Sequence, residues 1–221
     1  MFWQFLKFGT GTMQAYILLI ALSFVLSFAG ADVVEKATGH AFASTIGFPP
    51  SELLGAGVRV KQIGPVAAKV YAVGLYASRG HAVSSCRGCK SVKEVLARLG
   101  DVVQSGTVVL KMSRDVGAET MASALSDAVK PRMGGKDINA CESLRKLVVC
   151  SLPKGCAKNT VLAFACSGGG VGVCVNGQNK GSVSSSILSK AFIRTYLDAK
   201  AVSPSLRENL ASSIFESVGN K

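Results

Sequence analysis

GAGVRVKQIGPVAAKVYAVGLYAS, Gly55 to Ser78, holds two runs rich in β-branched residues, Val58 to Ile63 and Val66 to Tyr76, on either side of Gly64-Pro65. A turn dipeptide between two such runs predicts a β-hairpin. Arg59 and Lys61 interrupt Val58, Val60 and Ile63 on the first strand, and Lys69 and Tyr71 stand among Val66, Val70, Val73 and Leu75 on the second. Register decides which of these meet. A three-residue loop sets Arg59 directly opposite Tyr71 with both side chains on one face, whereas a two-residue loop sets Arg59 against Val70.

Working outward, the chain alternates helices and strands. Ser91 and Glu94 have capping-box spacing before Val95, Leu96 and Leu99, and Gly100 marks the expected end of that helix. Thr107 to Met112 reads as a strand. Met121, Leu125, Ala128 and Val129 form a helical stripe that Pro131 stops, and Asp137 is placed to cap a helix through Leu144 and Leu147. Thr160 to Cys166 and Val171 to Val175 are strand-like, joined by Gly168 to Gly170; Asn176-Gly177 then turns the chain into a return strand near Ser182 to Ser184. A helix through Leu188, Ala191, Phe192 and Tyr196 follows, and Ser203-Pro204 opens a terminal helix carrying Leu206, Leu210 and Ile214 on one face. The expectation is an α+β domain, antiparallel strands with helices layered on one side, over residues 32–221.

The first 31 residues read differently. Ala15 to Ala31 is AYILLIALSFVLSFAGA, uncharged, preceded by a stretch whose one charge is Lys7, and it closes on Ala29-Gly30-Ala31. Small residues at those positions suit a signal peptidase, so a signal peptide cleaved after Ala31 and a route into the secretory pathway are expected. An N-terminal membrane anchor is the alternative reading of the same run, and the one membrane contact the sequence itself offers.

The 221 residues carry 25 Lys plus Arg against 13 Asp plus Glu, a net charge of +12. These cations are scattered singly with no basic run or interleaved aromatics, which disfavours a nucleic-acid partner and leaves diffuse attraction of anionic lipids or carboxylates. Seven cysteines include Cys86-x-x-Cys89, but no second such pair exists and only His40 and His81 could add imidazole ligands, so no metal or cofactor is expected. Nucleophile elbows, HExxH and paired-carboxylate motifs are absent. A lone strand arginine is commonly an ion-pair partner, here for Glu52 or Asp115, and a strand tyrosine commonly core.

The hairpin, together with GFPPSELL before it, LKMSRDV at 110–116, LPKG at 152–155, VCVNGQNKGSVSS at 173–185 and YLDAKAVSPSL at 196–206, resembles the chalcone isomerase-like family. The resemblance implies an open-faced sandwich, a large antiparallel sheet covered by helices with a ligand cleft between. One branch of that family cyclises chalcones to flavanones; the other binds fatty acids and is not known to catalyse. Both keep an arginine at the position of Arg59. At Tyr71 the enzymes have threonine and the binding branch tyrosine, while the tyrosine and asparagine that the enzymes use fall at Gly117 and Ala124 here.

The resemblance therefore implies a fatty-acid-binding protein with the carboxylate on Arg59 and Tyr71, no catalytic residue, and a cleft lined by Met121, Leu125, Leu188, Phe192 and Ser184; a chalcone isomerase-type intramolecular lyase is the alternative. It also adds a plastid, reached through a signal peptide, as a destination, and a haem-associated relative as a remoter possibility disfavoured by the two histidines. In energy, a charge-assisted anchor is worth roughly 1.5–3 kcal/mol, against on the order of 8–9 kcal/mol gross for a twelve-carbon tail at roughly 0.8 kcal/mol per methylene. The tail sets affinity and the anchor sets polarity.

Overall fold

A computed structural model describes residues 32–47 and 50–219, so the expected leader lies outside the described residues. A seven-stranded antiparallel sheet runs in order β3(Thr45–Ile46), β4(Ser51–Ile63), β5(Val66–Ala77), β6(Gly106–Met112), β7(Val161–Ser167), β8(Gly170–Val175) and β9(Gln178–Val183), each strand pairing with its sequence neighbour. A separate ribbon of β1(Val33–Val34) and β2(Ala41–Phe42) lies on its outer face. Among the described residues six α-helices, α1(Arg79–Ser85), α2(Val92–Val102), α3(Ala118–Val129), α4(Ile138–Ser151), α5(Ser186–Leu197) and α6(Pro204–Gly219), cover the inner face.

Strand alternation separates two cores. Tyr71, Val73 and Leu75 with Leu110, Phe164 and Val173 face the helices, whereas Phe42, Leu53, Ala72, Tyr76 and Val109 meet on the outer face. The outer cluster is tied to the ribbon by the Tyr76 hydroxyl, which donates to the Ala43 carbonyl at 2.9 Å, and by Lys111, whose Nζ lies 5.1 Å from the centre of the Phe42 ring.

Several local signals act as expected. Ser91 Oγ accepts from Glu94 N, while the Glu94 carboxylate accepts from Lys90 N, one residue outside the usual box. Asn176 and Gly177 both have positive φ, 48° and 81°, as a two-residue type I′ turn requires. Other details differ. Gly100 does not end its helix, which continues through Val102 because Leu99 and Val102 both bury their side chains. Asp137 does stand at the N-cap of α4, but with φ 52° and no capping bond; its carboxylate instead accepts from the Ser185 hydroxyl, joining the starts of α4 and α5.

The placement of α6 matters most for the site. Beyond its short pairing with β3, strand β4 is an edge, and α6 covers it: Asn209 Oδ1 and Ser205 Oγ accept from Ala56 N and Val58 N at 3.0 Å, and Ser203 Oγ donates to the Val58 carbonyl at 2.9 Å. Gly57 permits the approach, since a Cβ there would stand 2.2 Å from Leu206 N. Helix α3 packs mainly on α4 and α5, so a gap opens between α3 and the β4–β5 hairpin.

Candidate functional site

The gap is a cavity of about 580 Å³, within the usual range for small-molecule sites. Arg59, Lys61 and Ile63 from β4 form one wall and Gly117, Thr120, Met121, Ala124 and Leu125 another. Tyr71, Thr195 and Tyr196 close the buried end, while Lys61, Ile63 and Thr120 are solvent-exposed and mark the mouth.

How Arg59 reaches this wall answers the question of register. The hairpin loop has two residues, with Ile63 paired to Val66. Gly64 has φ +57°, and because Pro65 cannot adopt positive φ the turn is of type II′ rather than I′. Carried down the ladder, that register would set Arg59 against Val70. Between Val60–Lys69 and Arg59–Tyr71, however, the pairing shifts by one residue, so Arg59 stands opposite Tyr71. Val70 is the extra residue of this β-bulge, and Val70 and Tyr71 both line the cavity. The freed Val70 carbonyl accepts from Ser113 N at 3.0 Å, just beyond the end of β6. The two-residue loop and the Arg59–Tyr71 pair thus coexist, a combination that neither simple register contains.

Arg59 is half-buried, and its Nη1 donates to the Val202 carbonyl at 2.7 Å, immediately before the cap of α6. Among the described residues no carboxylate pairs with it: Glu52 is taken by Arg79, and Asp115 accepts from Lys158 N. One of five guanidinium N–H groups is therefore committed to the backbone, which fixes the head while leaving donor capacity beside the cavity.

The Tyr71 hydroxyl lies 3.5 Å from that of Tyr196. Burial pushes both phenols above their usual range, Tyr196 well above, and the nearby Arg59 charge only partly offsets this. Both stay protonated through neutral pH. In this pair one O–H can satisfy the other oxygen, leaving the second O–H able to donate into the cavity.

Of the other residues expected at the cleft, Met121 and Leu125 line it. Leu188 and Phe192 do not: they are wholly buried deeper in the helix–sheet core, where Phe192 stacks on Phe164 with ring centres 4.7 Å apart. Ser184 is exposed outside the cavity, at the end of β9, and the neighbouring Ser185 caps α5 by accepting from Leu188 N at 3.0 Å. Tyr196 is the residue the sequence argument missed. A tyrosine four positions after Phe192 on an apolar helical stripe reads as core, and only packing brings its hydroxyl to Tyr71.

The family model for chalcone isomerase-like proteins matches residues 35–211. The chain belongs to the chalcone isomerase-like family. A solved structure with the same fold is the fatty-acid binding protein of Arabidopsis thaliana, 21% identical, covering 86% of this chain and all of its own, with a TM-score of 0.70. At that identity the likeness shows the fold. No curated protein matches the sequence. Gly117 and Ala124 both lie on the cavity wall and bring no polar side-chain atom to it.

Proposed function

We propose that the protein binds a medium-chain fatty acid, its carboxylate held by Arg59 and the Tyr71–Tyr196 phenol pair at the buried end of the cavity and its tail lying between α3 and the hairpin. The observation that carries this reading is the bulge at Val70, which turns a guanidinium that pairs with no carboxylate among the described residues and a protonated phenol to the same end of a 580 Å³ cavity. A planar fork of donors matches a carboxylate, and Tyr71 supplies a further donor from within the protein. Along the walls Met121, Leu125 and Val70 offer apolar surface for the tail, whose desolvation is the larger share of the binding energy. Once association costs are met, micromolar affinity for laurate is expected.

The solved fatty-acid binding protein of the same fold supports this reading. Against chalcone cyclisation stand Gly117 and Ala124, whose side chains on the α3 wall cannot hydrogen-bond a substrate ketone or phenol where the resemblance places the enzymes' tyrosine and asparagine. Native mass spectrometry of the purified protein with lipid extraction, followed by laurate titration, tests the proposal. Co-purified or added fatty acid at one per chain is the expected result. Failure to bind laurate, or loss of a chalcone's absorbance well above the uncatalysed rate, overturns it.

A further inference from the structure

The hairpin that carries Arg59 continues well past the sheet. Strand β5 pairs with β6 only from Tyr71 onward, and β3 reaches β4 only at Ser51 and Glu52. The four pairs from Val60–Lys69 to Ile63–Val66 therefore form a free two-stranded arm, about 13 Å long at roughly 3.3 Å per residue. Every residue from Val60 to Ala67 is exposed. Of the six large hydrophobic residues exposed among the described residues, three are on this arm: Val60 at 42%, Ile63 at 50% and Val66 at 63%.

Charge on the arm has one sign. Lys61 and Lys69 are exposed on it, Lys69 at its base with Nζ donating to the Ala37 carbonyl at 2.5 Å, and no acidic residue occurs between Glu52 and Glu94. Near the base of the arm Arg114 lines the cavity with Lys61, and Lys158 lies by Lys69; the exposed acids Asp115 and Asp127 line the same cavity further from the tip. Ile63 and Lys61 also line the mouth of the cavity, so the arm is continuous with the candidate site. An apolar tip with lysines set a few residues behind it is the profile of a segment that enters the boundary between headgroups and acyl chains.

We propose that the tip of the β4–β5 arm docks on an anionic lipid bilayer, with Ile63, Pro65 and Val66 entering the headgroup boundary and Lys61, joined by Lys69 on release from the Ala37 carbonyl, among the phosphates. Docked in this way, the mouth of the cavity opens at the bilayer, and an apolar ligand passes between membrane and protein without crossing water. The proposal goes beyond the fatty-acid reading and stands apart from it, since the tip can dock whatever the cavity holds.

A tryptophan at the tip provides the test. The sequence has one tryptophan, Trp3, so Val66→Trp in a Trp3→Phe background of the full chain reports the tip alone, whatever the N-terminal segment does. Mixed phosphatidylcholine–phosphatidylglycerol vesicles should shift its emission to the blue and allow quenching by brominated acyl chains, whereas phosphatidylcholine vesicles should do neither. Adding Lys61→Gln and Lys69→Gln, both at exposed positions, should lower the tip's partition into mixed vesicles about thirtyfold, from about fivefold per surface cation. No shift, an equal shift on neutral vesicles, or a shift without vesicles that grows with protein concentration overturns the proposal, the last by making the tip a contact between copies. Laurate titration in solution, scored separately, keeps a failure here distinct from a failure of the fatty-acid reading.

Discussion

Replacing Arg59 with alanine removes the guanidinium beside the Tyr71–Tyr196 pair, and the structure sets the size of the consequence. A carboxylate that accepts a charge-assisted hydrogen bond from Arg59 gains about 1.5–3 kcal/mol net, so its loss should weaken laurate binding about ten- to 150-fold. The methyl ester, which has the same tail and no charge, should change little. Removing two methylenes, laurate to decanoate, costs about 1.6 kcal/mol in tail desolvation and should weaken binding about fifteenfold in wild type and variant alike, because the tail and the anchor act at opposite ends of the ligand.

Arg59 also holds the Val202 carbonyl at 2.7 Å, so Arg59→Ala should lower stability as well, by about 1 kcal/mol for a part-exposed bond. Calorimetric titration of acid and ester, paired with urea unfolding, separates the two effects. Arg59→Lys, which keeps the charge and loses the fork, should fall between wild type and alanine. An Arg59→Ala protein that binds laurate within twofold of wild type, or that loses acid and ester equally, refutes the anchor.

The phenol pair predicts a pH profile: because burial raises Tyr71 and Tyr196 above the ordinary tyrosine range, laurate binding should show no loss at the usual tyrosine pKa near 10, and Tyr71→Phe should cost about two- to thirteenfold in laurate affinity without changing that profile. The close seat of α6 on β4 predicts that Gly57→Ala, whose Cβ would lie 2.2 Å from Leu206 N, destabilises by about 3 kcal/mol or more in urea. Gly80→Ala in α1, with open space around its Cβ, should stabilise by about 0.5–1 kcal/mol. Asp198 predicts an acid limb. Burial raises its pKa, but two bonds from Arg132 at 2.6 and 2.8 Å bring the net value below the ordinary range. Its stabilisation is present above the unfolded value and lost as pH falls through the lower folded one. Asp198→Asn should therefore cost about 1 kcal/mol at neutral pH, discounted for part exposure, with the difference from wild type vanishing in acid.

Much of this was legible in the residues. Strand runs, caps and turn dipeptides are local signals, set by β-branching, by the hydrogen-bonding of Ser and Asp side chains, and by the φ that Gly, Asn and Pro allow. They placed most of the longer elements to within a few residues, began β4 at Val58 rather than Ser51, did not reveal α1 or the short β1–β3, and erred where burial outweighed a local signal, as at Gly100, where the helix continues to bury Val102. The candidate anchor was half legible. Arg59 and Tyr71 could be named, but their meeting depended on register, and the turn that Gly64-Pro65 dictates would by itself have separated them. Leu188 and Phe192 show the converse limit, since an inward stripe does not say whether it meets a cavity or a packed sheet.

The sequence by itself determined the hairpin, the helix stripes, the glycine at 57 that lets α6 lie on β4, and the chemistry available at Arg59 and Tyr71. Only the tertiary structure decided that a bulge at Val70 restores the Arg59–Tyr71 pair, that Tyr196 joins it, and that the hairpin runs past its neighbours as an exposed arm. The physical reason is common to all three. Whether a ladder slips by one residue, whether two buried hydroxyls approach, and where a strand outruns its partners are outcomes of packing among elements far apart in the chain, which no local preference for a turn, strand or helix encodes.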